Sequence, residues 1–425
     1  MFTSPSPSTE PIVITGIGMI NSLGNDRETA WESTRLGKSA VRRIEGLNFI
    51  ENGLLIGATV DHNPSLPNFL KIRSMCLRAA EEAVHDARIR WSNLDLTRVG
   101  CSVSGHVSDL WDIERRAEQR ADDSSEEMVP WHEQFLPSTA CSDVGSHFEL
   151  GGPRICHSVA CASGSVEVMA ATRAIRSGDC DMMIAGSGEI ITPLFAAGFR
   201  KMRVLAEDEN PEQACRPFDR TRKGFVMGEG SAFFVIERLS HALKRNARIY
   251  AEIVAGHLAS EGQHITDLDH QSEALAYTIN QAVRKAKISP SEIDYINVHG
   301  TGTAQNDLAE ANGLKRAFGK AACQIPVSAN KSNLGHLVNA AGSTELAITA
   351  LALRDGFLPP TINLNDPDPA CDLEHVAITG RRLRPQIALK TSVAFGGHLV
   401  AVILRRWNDA HHGFGYPEDV IRKVA

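Results

Sequence analysis

The sequence predicts an α/β protein made of two similar halves that share one core. Three observations carry this expectation. Apolar strand-length runs alternate with Ala-rich, helix-spaced runs along most of the 425 residues. Two pairs of windows in different halves resemble each other: "AVHDARI" (83–89) pairs with "AVRKAKI" (282–288), and "ICHSVACASGSVEVMAATRAIRSGD" (155–179) pairs with "IPVSANKSNLGHLVNAAGSTELAITALALRDG" (325–356). No long linker separates the halves, whose boundary falls near 240–252, after "SAFFVIERL".

In chain order, residues 1–10 are polar and Pro/Ser-rich and are expected to form a disordered tail. The first half runs over 11–250. It opens on "PIVITGIGMINSLG", read as a buried strand from Ile12 to Thr15 entering a glycine turn. Gly16 and Gly18 suggest a dinucleotide-binding turn, but position 21 is Asn, so that reading fails. The charged, irregular stretch 106–140 looks like an insertion of helix and loop. The second half covers 251–410, followed by a tail at 411–425. Gly178 after "AATRAIRS" and Gly356 after "AITALALRD" are expected helix stops, each with an arginine in the last turn.

Composition narrows the function classes. Hydrophobic residues make up 43% and charged residues 22%, and the formal net charge is −7. That balance argues against a nucleic-acid partner; an acidic partner needs a local basic patch. Nine cysteines without a CxxC pair, and no secretory signal, point to reduced thiols in a cytoplasm. No stretch approaches the roughly 18 apolar residues of a membrane span. No metal site is expected.

Four segments have the residue types for chemistry. Cys161, in "HSVACASGSVEV", lies between a strand-like lead and a helix start. The helix dipole there favours a thiolate, and the small neighbours leave room for an incoming group. Read alone, it is as readily a small buried hydrophobe. His299, in "NVHGTGTAQNDLAE", sits at the end of a strand, before Thr301, Thr303 and two carboxylates expected to open a helix, Asp307 and Glu310. Lys331, His336 and Glu345 lie around a strand-to-helix turn in "SANKSNLGHLVNAAGSTE". In "TSVAFGGHLVAVIL", Gly396 and Gly397 permit an unusual backbone that turns the Phe395 amide into a site. Each has a bland alternative in a core histidine, a surface lysine or an ordinary turn. Together they describe a nucleophile beside two neutral donors, which suits acyl transfer.

With these residues in order, the chain resembles the beta-ketoacyl-acyl-carrier-protein synthases, elongating condensing enzymes of the thiolase superfamily. The resemblance runs from about residue 11 to 406. It rests on "ITGIGMINSLGN", "ACASG", "RPFDRTRKGFVMGEGSA" (216–232), "VHGTGT", "KSNLGHLVNAAG" and "FGG". It implies a thiolase-like fold of five layers, αβαβα, with two pseudo-symmetric βαβαβ halves, as a homodimer or paired with a chain-length-factor-like subunit. It further implies that Cys161 carries the growing acyl chain and that His299 and His336 assist decarboxylation of a malonyl thioester. Lys331 pairs with Glu345, the Cys161 and Phe395 amides form an oxyanion hole, and Phe395 gates the pocket. No cofactor is bound; substrates arrive on the phosphopantetheine of an acyl carrier protein. That partner would dock on Lys71, Arg73, Arg200, Lys201 and Arg203.

Thiolases have a second cysteine where this chain has Phe395–Gly396–Gly397, and initiating synthases have Asn where His336 stands. The chain departs from the family at His398 and Leu399 after the glycines, at Val393, and in "VACASG" around the nucleophile. These changes suggest a dedicated pathway rather than housekeeping fatty-acid synthesis. Two further readings are a non-catalytic partner subunit of another synthase and a non-condensing acyltransferase on the same fold.

Overall fold

The computed structural model describes residues 10–44, 56–61, 71–105 and 138–408. The terminal tails, apart from residue 10, and nearly all of the expected insertion (106–137) lie outside these residues. Ten α-helices are described: α1 (Arg27–Arg35), α2 (Lys71–Asp86), α3 (Thr139–His147), α4 (Ser163–Ser177), α5 (Pro193–Lys201), α6 (Leu239–Lys244), α7 (Glu273–Ala286), α8 (Ala304–Phe318), α9 (Lys331–Leu334) and α10 (Ala341–Asp355).

Eleven strands form the main sheet. They are β1 (Ile12–Asn21), β2 (Val99–Gly105), β3 (Arg154–Ile155), β4 (Met182–Glu189), β5 (Gly230–Arg238), β6 (Ala251–Ser260), β7 (Tyr295–Asn297), β8 (Pro326–Ser328), β9 (Glu374–His375), β10 (Ile387–Ala394) and β11 (His398–Arg406). Their order is β9-β8-β7-β10-β11-β6-β1-β5-β4-β2-β3. The two sides of the sheet repeat one pattern. β2 pairs parallel with β3 and β4, then β4–β5 and β5–β1 are antiparallel. Likewise β7 pairs parallel with β8 and β10, then β10–β11 and β11–β6 are antiparallel. Two residue pairs join the halves, Val13↔Glu252 and Ile14↔Ala251.

Helices α4 and α10 pack against strands of both halves, so the sheet folds over them; α2 and α3 cover one outer face, α7 and α8 the other. The result is five layers, αβαβα. The core divides in the same way, with a central cluster around α4 and α10 and one outer cluster under each outer helix pair. Strands covered on both faces carry mostly apolar or small residues, and β1, β2 and β4 are buried throughout, with Asn21 and Glu189 as the large polar residues at their ends. The repeated windows occupy matching places: 83–89 closes α2 and 282–288 closes α7, while the longer pair leads into α4 and α10.

Both expected helix stops are present, with Gly178 at φ +84° and Gly356 at φ +61°. The glycine turn after Thr15 is not: β1 continues to Asn21. Gly16 and Gly18 instead let α2 approach the strand. A Cβ on Gly16 would lie 2.1 Å from the Ala83 carbonyl oxygen, and one on Gly18 would lie 1.9 Å from that of Ala79. The central helices meet as closely. A Cβ on Gly164 would lie 2.4 Å from the Ser343 nitrogen, and one on Gly342 would lie 2.5 Å from the Ser165 nitrogen. This crossing brings the starts of α4 and α10 together.

Candidate active site

Cys161 lies in a single 3-10 turn, Ala160–Ala162, that leads into α4. Ala160 takes φ +44°, a strained conformation for a residue with a Cβ. The thiol is buried, with Sγ 3.1 Å from His336 Nε2. His336 follows α9 and Gly335, whose φ of +73° turns the chain. The backbone N–H of Val338 donates to His336 Nδ1 (3.1 Å), so Nδ1 is the acceptor and Nε2 carries the hydrogen.

His299 stands two residues beyond β7 on a loop organised by α8. Glu310 accepts the backbone N–H groups of His299 (2.7 Å) and Gly300 (2.8 Å), and Asp307 accepts those of Thr301 (3.0 Å) and Gly302 (3.1 Å). The two carboxylates expected to open a helix thus fix the histidine loop. Lys331 Nζ donates to His299 Nδ1 (3.1 Å) and to the His299 carbonyl. An ammonium has only donors, so His299 Nδ1 accepts and its hydrogen is on Nε2. The two imidazoles meet edge to face, 5.3 Å between centroids.

Burial, followed by the Lys331 ammonium, holds both histidines well below the usual imidazole pKa. They remain neutral, each with an N–H available. Burial also pushes the Cys161 thiol up to about 12, with Lys331 opposing. The resting Cys161 is therefore a thiol. The helix-start expectation of a thiolate omitted this desolvation.

Lys331 is completely buried rather than a surface lysine, and its Nζ lies 2.6 Å from Glu345 Oε1. The other oxygen, Oε2, has an ion-pair partner that sequence reading missed: Lys390 Nζ, at 2.8 Å. That contact is close but not aligned as a hydrogen bond. Lys390 lies mid-strand among apolar neighbours, 45 positions from its carboxylate, and only strand alternation could have marked it.

A cavity of about 440 Å³ opens onto Cys161, His299 and His336, and Thr301, Thr303 and Phe395 also line it. The threonine hydroxyls lie 2.9 Å apart. Phe395 occupies the β10–β11 turn with Gly396 (φ +88°) and Gly397 (φ +77°), and β11 is an interior strand. The turn is tied to the loop after β6 by the Gly396 N–H donating to the Ile265 carbonyl (2.7 Å) and by the Glu261 N–H donating to the Gly397 carbonyl (2.9 Å). Ring contacts connect Phe395 to Phe199, Phe199 to Phe225, and Phe225 to His336. The substituted residues sit at this turn: His398 lies against Gly396, and Val393 lines the cavity.

The expected docking cations separate into two groups. Lys71 is ion-paired with the buried Glu229, and Arg73 binds Asp143 (Nη2–Oδ1 2.7 Å), so neither is a free surface charge. On α5 and just beyond it, Lys201 and Arg203 are exposed, and Arg200 lies 3.9 Å from Glu207. Their neighbours Phe199, Met202 and Val204 line the cavity.

Among the described residues there is no group of His, Cys, Asp and Glu able to hold a metal ion, and no helix long and apolar enough to cross a membrane.

Family models match the chain over residues 70–242 (beta-ketoacyl synthase, N-terminal domain) and 250–365 (beta-ketoacyl synthase, C-terminal domain). The 3-oxoacyl-[acyl-carrier-protein] synthase 2 of Coxiella burnetii is 36% identical over 409 residues, covering 93% of this chain and 98% of its own. A solved type II polyketide acyl-carrier protein in complex with its ketosynthase bound to the hexaketide matches with a TM-score of 0.88 and 31% identity, over 95% of this chain and 100% of that one. The ishigamide ketosynthase/chain length factor matches with a TM-score of 0.83 and 29% identity, over 94% and 100%. The sequence motifs, the five-layered fold and these matches agree: the chain belongs to the beta-ketoacyl synthase family.

Proposed function

We propose that this protein extends an acyl chain by two carbons through decarboxylative Claisen condensation with a malonyl thioester, in fatty-acid or polyketide synthesis. One observation carries the reading. Two neutral histidines, each with Nδ1 occupied as an acceptor, turn an Nε2–H toward the cavity that holds the Cys161 thiol.

The chemistry follows from the hydrogen positions. Acyl loading exchanges thiols: the Cys161 sulfur forms the new thioester, the pantetheine sulfur leaves, and the proton of Cys161 departs with it. His336, whose Nε2–H lies 3.1 Å from Sγ, donates toward the sulfur as it gives up that proton. Malonyl decarboxylation breaks the bond to the carboxylate and moves its electron pair toward the thioester oxygen. The Nε2–H groups of His299 and His336 hold that enolate oxygen; one such donor is worth roughly 10²–10³ in rate. The enolate carbon then attacks the acyl-Cys161 carbonyl. The amides of Cys161 and Phe395 take the tetrahedral oxyanion, whose collapse expels the Cys161 sulfur and releases a β-ketoacyl product. Lys331 and Glu345 orient His299, Thr301 and Thr303 bind the pantetheine arm, and Gly396 and Gly397 let Phe395 swing as a gate.

The acidic acyl carrier protein delivers both substrates to the exposed Lys201 and Arg203 beside the cavity mouth. The nine free thiols suit a cytoplasmic enzyme. It works as a homodimer or beside a chain-length-factor-like subunit.

The test is incubation with acyl-carrier and malonyl-carrier thioesters, with intact mass and released carbon dioxide measured together. The parent enzyme should gain the mass of the acyl group and release carbon dioxide. Cys161→Ala should lose the adduct, and His299→Ala or His336→Ala should load but release at least 100-fold less. An adduct on Cys161→Ala, or carbon dioxide release that ignores both histidines, would overturn the assignment.

A further inference from the structure

The condensation reading accounts for Lys331 and Glu345 but not for Lys390, which is equally buried. The internal symmetry shows that the fold does not require it. In the central crossing, Gly164 packs on Ser343 and Gly342 on Ser165. Ser187 of β4 bonds Ser343 (2.7 Å), as Ser392 of β10 bonds Ser165 (3.0 Å). These contacts align "SGSVE" with "AGSTE", so Glu167 of α4 matches Glu345 of α10, and Ala185 of β4 matches Lys390 of β10.

Glu167 is as buried as Glu345, yet no lysine among the described residues serves it. It accepts from the Ser102 hydroxyl and from the backbone N–H of His157 (2.6 Å), and the His157 ring lies at 3.2 Å. In the second half, Lys331 already occupies one oxygen of Glu345. A second buried ammonium is costly to desolvate and is not needed to keep one carboxylate in the core.

The wall behind the histidines holds two carboxylates, Glu345 on α10 and Glu310 on α8. Glu310 accepts from the His299 backbone and from Thr391 next to Lys390. With Lys331 alone, this wall would carry −1; Lys390 brings it to zero. Around it, Asp307 faces Arg222 at 3.6 Å, and Glu189 accepts the Asn339 N–H.

We infer that Lys390 is a positioning residue for the anionic step: its ammonium cancels the second buried carboxylate behind His299 and His336, so that a malonyl carboxylate and the enolate that follows meet one opposing charge fewer. This rests on the condensation reading. The acyl group that loads Cys161 is neutral and is far less sensitive to the same charge.

The test counts charges in the full-length enzyme. Lys390→Met leaves the wall at −1. It should lower kcat/KM for malonyl-carrier decarboxylation at least tenfold, largely through KM, and change loading of a neutral acyl thioester less than threefold. Lys390→Arg keeps the charge while changing the shape of the side chain, and should hold decarboxylation within threefold of the parent. A purely structural role predicts that Lys390→Met, close to lysine in length and volume, is the milder of the two changes. A Lys390→Met enzyme that matches the parent, or a Lys390→Arg enzyme that loses as much as Lys390→Met, overturns the inference. Should Lys390→Met not fold, Lys390→Arg decides by itself: parent-like decarboxylation supports the inference and a tenfold loss overturns it. A parent that releases no carbon dioxide overturns the condensation reading and this inference together.

Discussion

Adding one methyl group at Gly342 should damage both stability and chemistry. Its new Cβ would lie 2.5 Å from the Ser165 nitrogen and 2.5 Å from the Ser165 hydroxyl, where ordinary contact begins at 3.4 Å. The backbone atom cannot rotate away, so α4 and α10 must part by about 0.9 Å. Overpacking of this kind costs about 1–3 kcal/mol. The same displacement moves Cys161, at the head of α4, away from His336, which holds its Nε2 3.1 Å from the sulfur. A misplacement of about 1 Å at reacting groups costs on the order of 100-fold in rate. Urea unfolding gives the first number, and condensation of acyl- and malonyl-carrier thioesters gives the second. Gly342→Ala should lower the unfolding midpoint and reduce turnover at least tenfold, while Gly198→Ala, inside α5 where the added carbon meets nothing within 4 Å, should leave the midpoint unchanged or raise it. An unchanged midpoint with full turnover would refute the claim that this contact sets the site's geometry.

Stability should fall in mild acid because of the histidines. Their folded pKa values lie well below 6.5, so below about pH 6.5 the unfolded chain binds protons that the folded chain does not. Two such groups remove up to about 2.7 kcal/mol per pH unit until the folded values are reached, and His299→Gln with His336→Gln should flatten the unfolding midpoint between pH 6.5 and 5.5. Lys201→Glu with Arg203→Glu should slow acyl loading from the carrier protein several-fold but not from a small pantetheine thioester; equal slowing of both would end the docking argument. Phe395→Ala should speed acyl entry and weaken chain-length discrimination, read as the spread of loading rates over a series of acyl thioesters.

Local signals made much of this protein legible. Gly178 and Gly356 ended their helices where the sequence placed them, because a left-handed C-terminal residue depends only on its own backbone. Cys161, His299, Lys331 and His336 were recognisable because each lies in a turn whose small neighbours are adjacent in sequence. Signals that depended on a distant partner were misread or missed. Gly16 and Gly18 were taken for a turn because the carbonyl groups they admit, at Ala83 and Ala79, belong to a helix some sixty residues on. Lys71 and Arg73 looked like surface cations because their carboxylates, Glu229 and Asp143, are 158 and 70 positions away.

By itself, the sequence determined the alternation of strands and helices, the internal repeat, and the cysteine and histidines that meet at one cavity, since period, turn residues and motif order are written along the chain. Tertiary structure decided their states. Folding the sheet over α4 and α10 removes water from Cys161, His299 and His336 at once, and that desolvation keeps the thiol protonated and both imidazoles neutral. It also joins Lys331, Glu345 and Lys390 from three separate elements into one buried charge cluster, because the balance of charge in a core depends on which groups the fold brings within a few ångströms of each other.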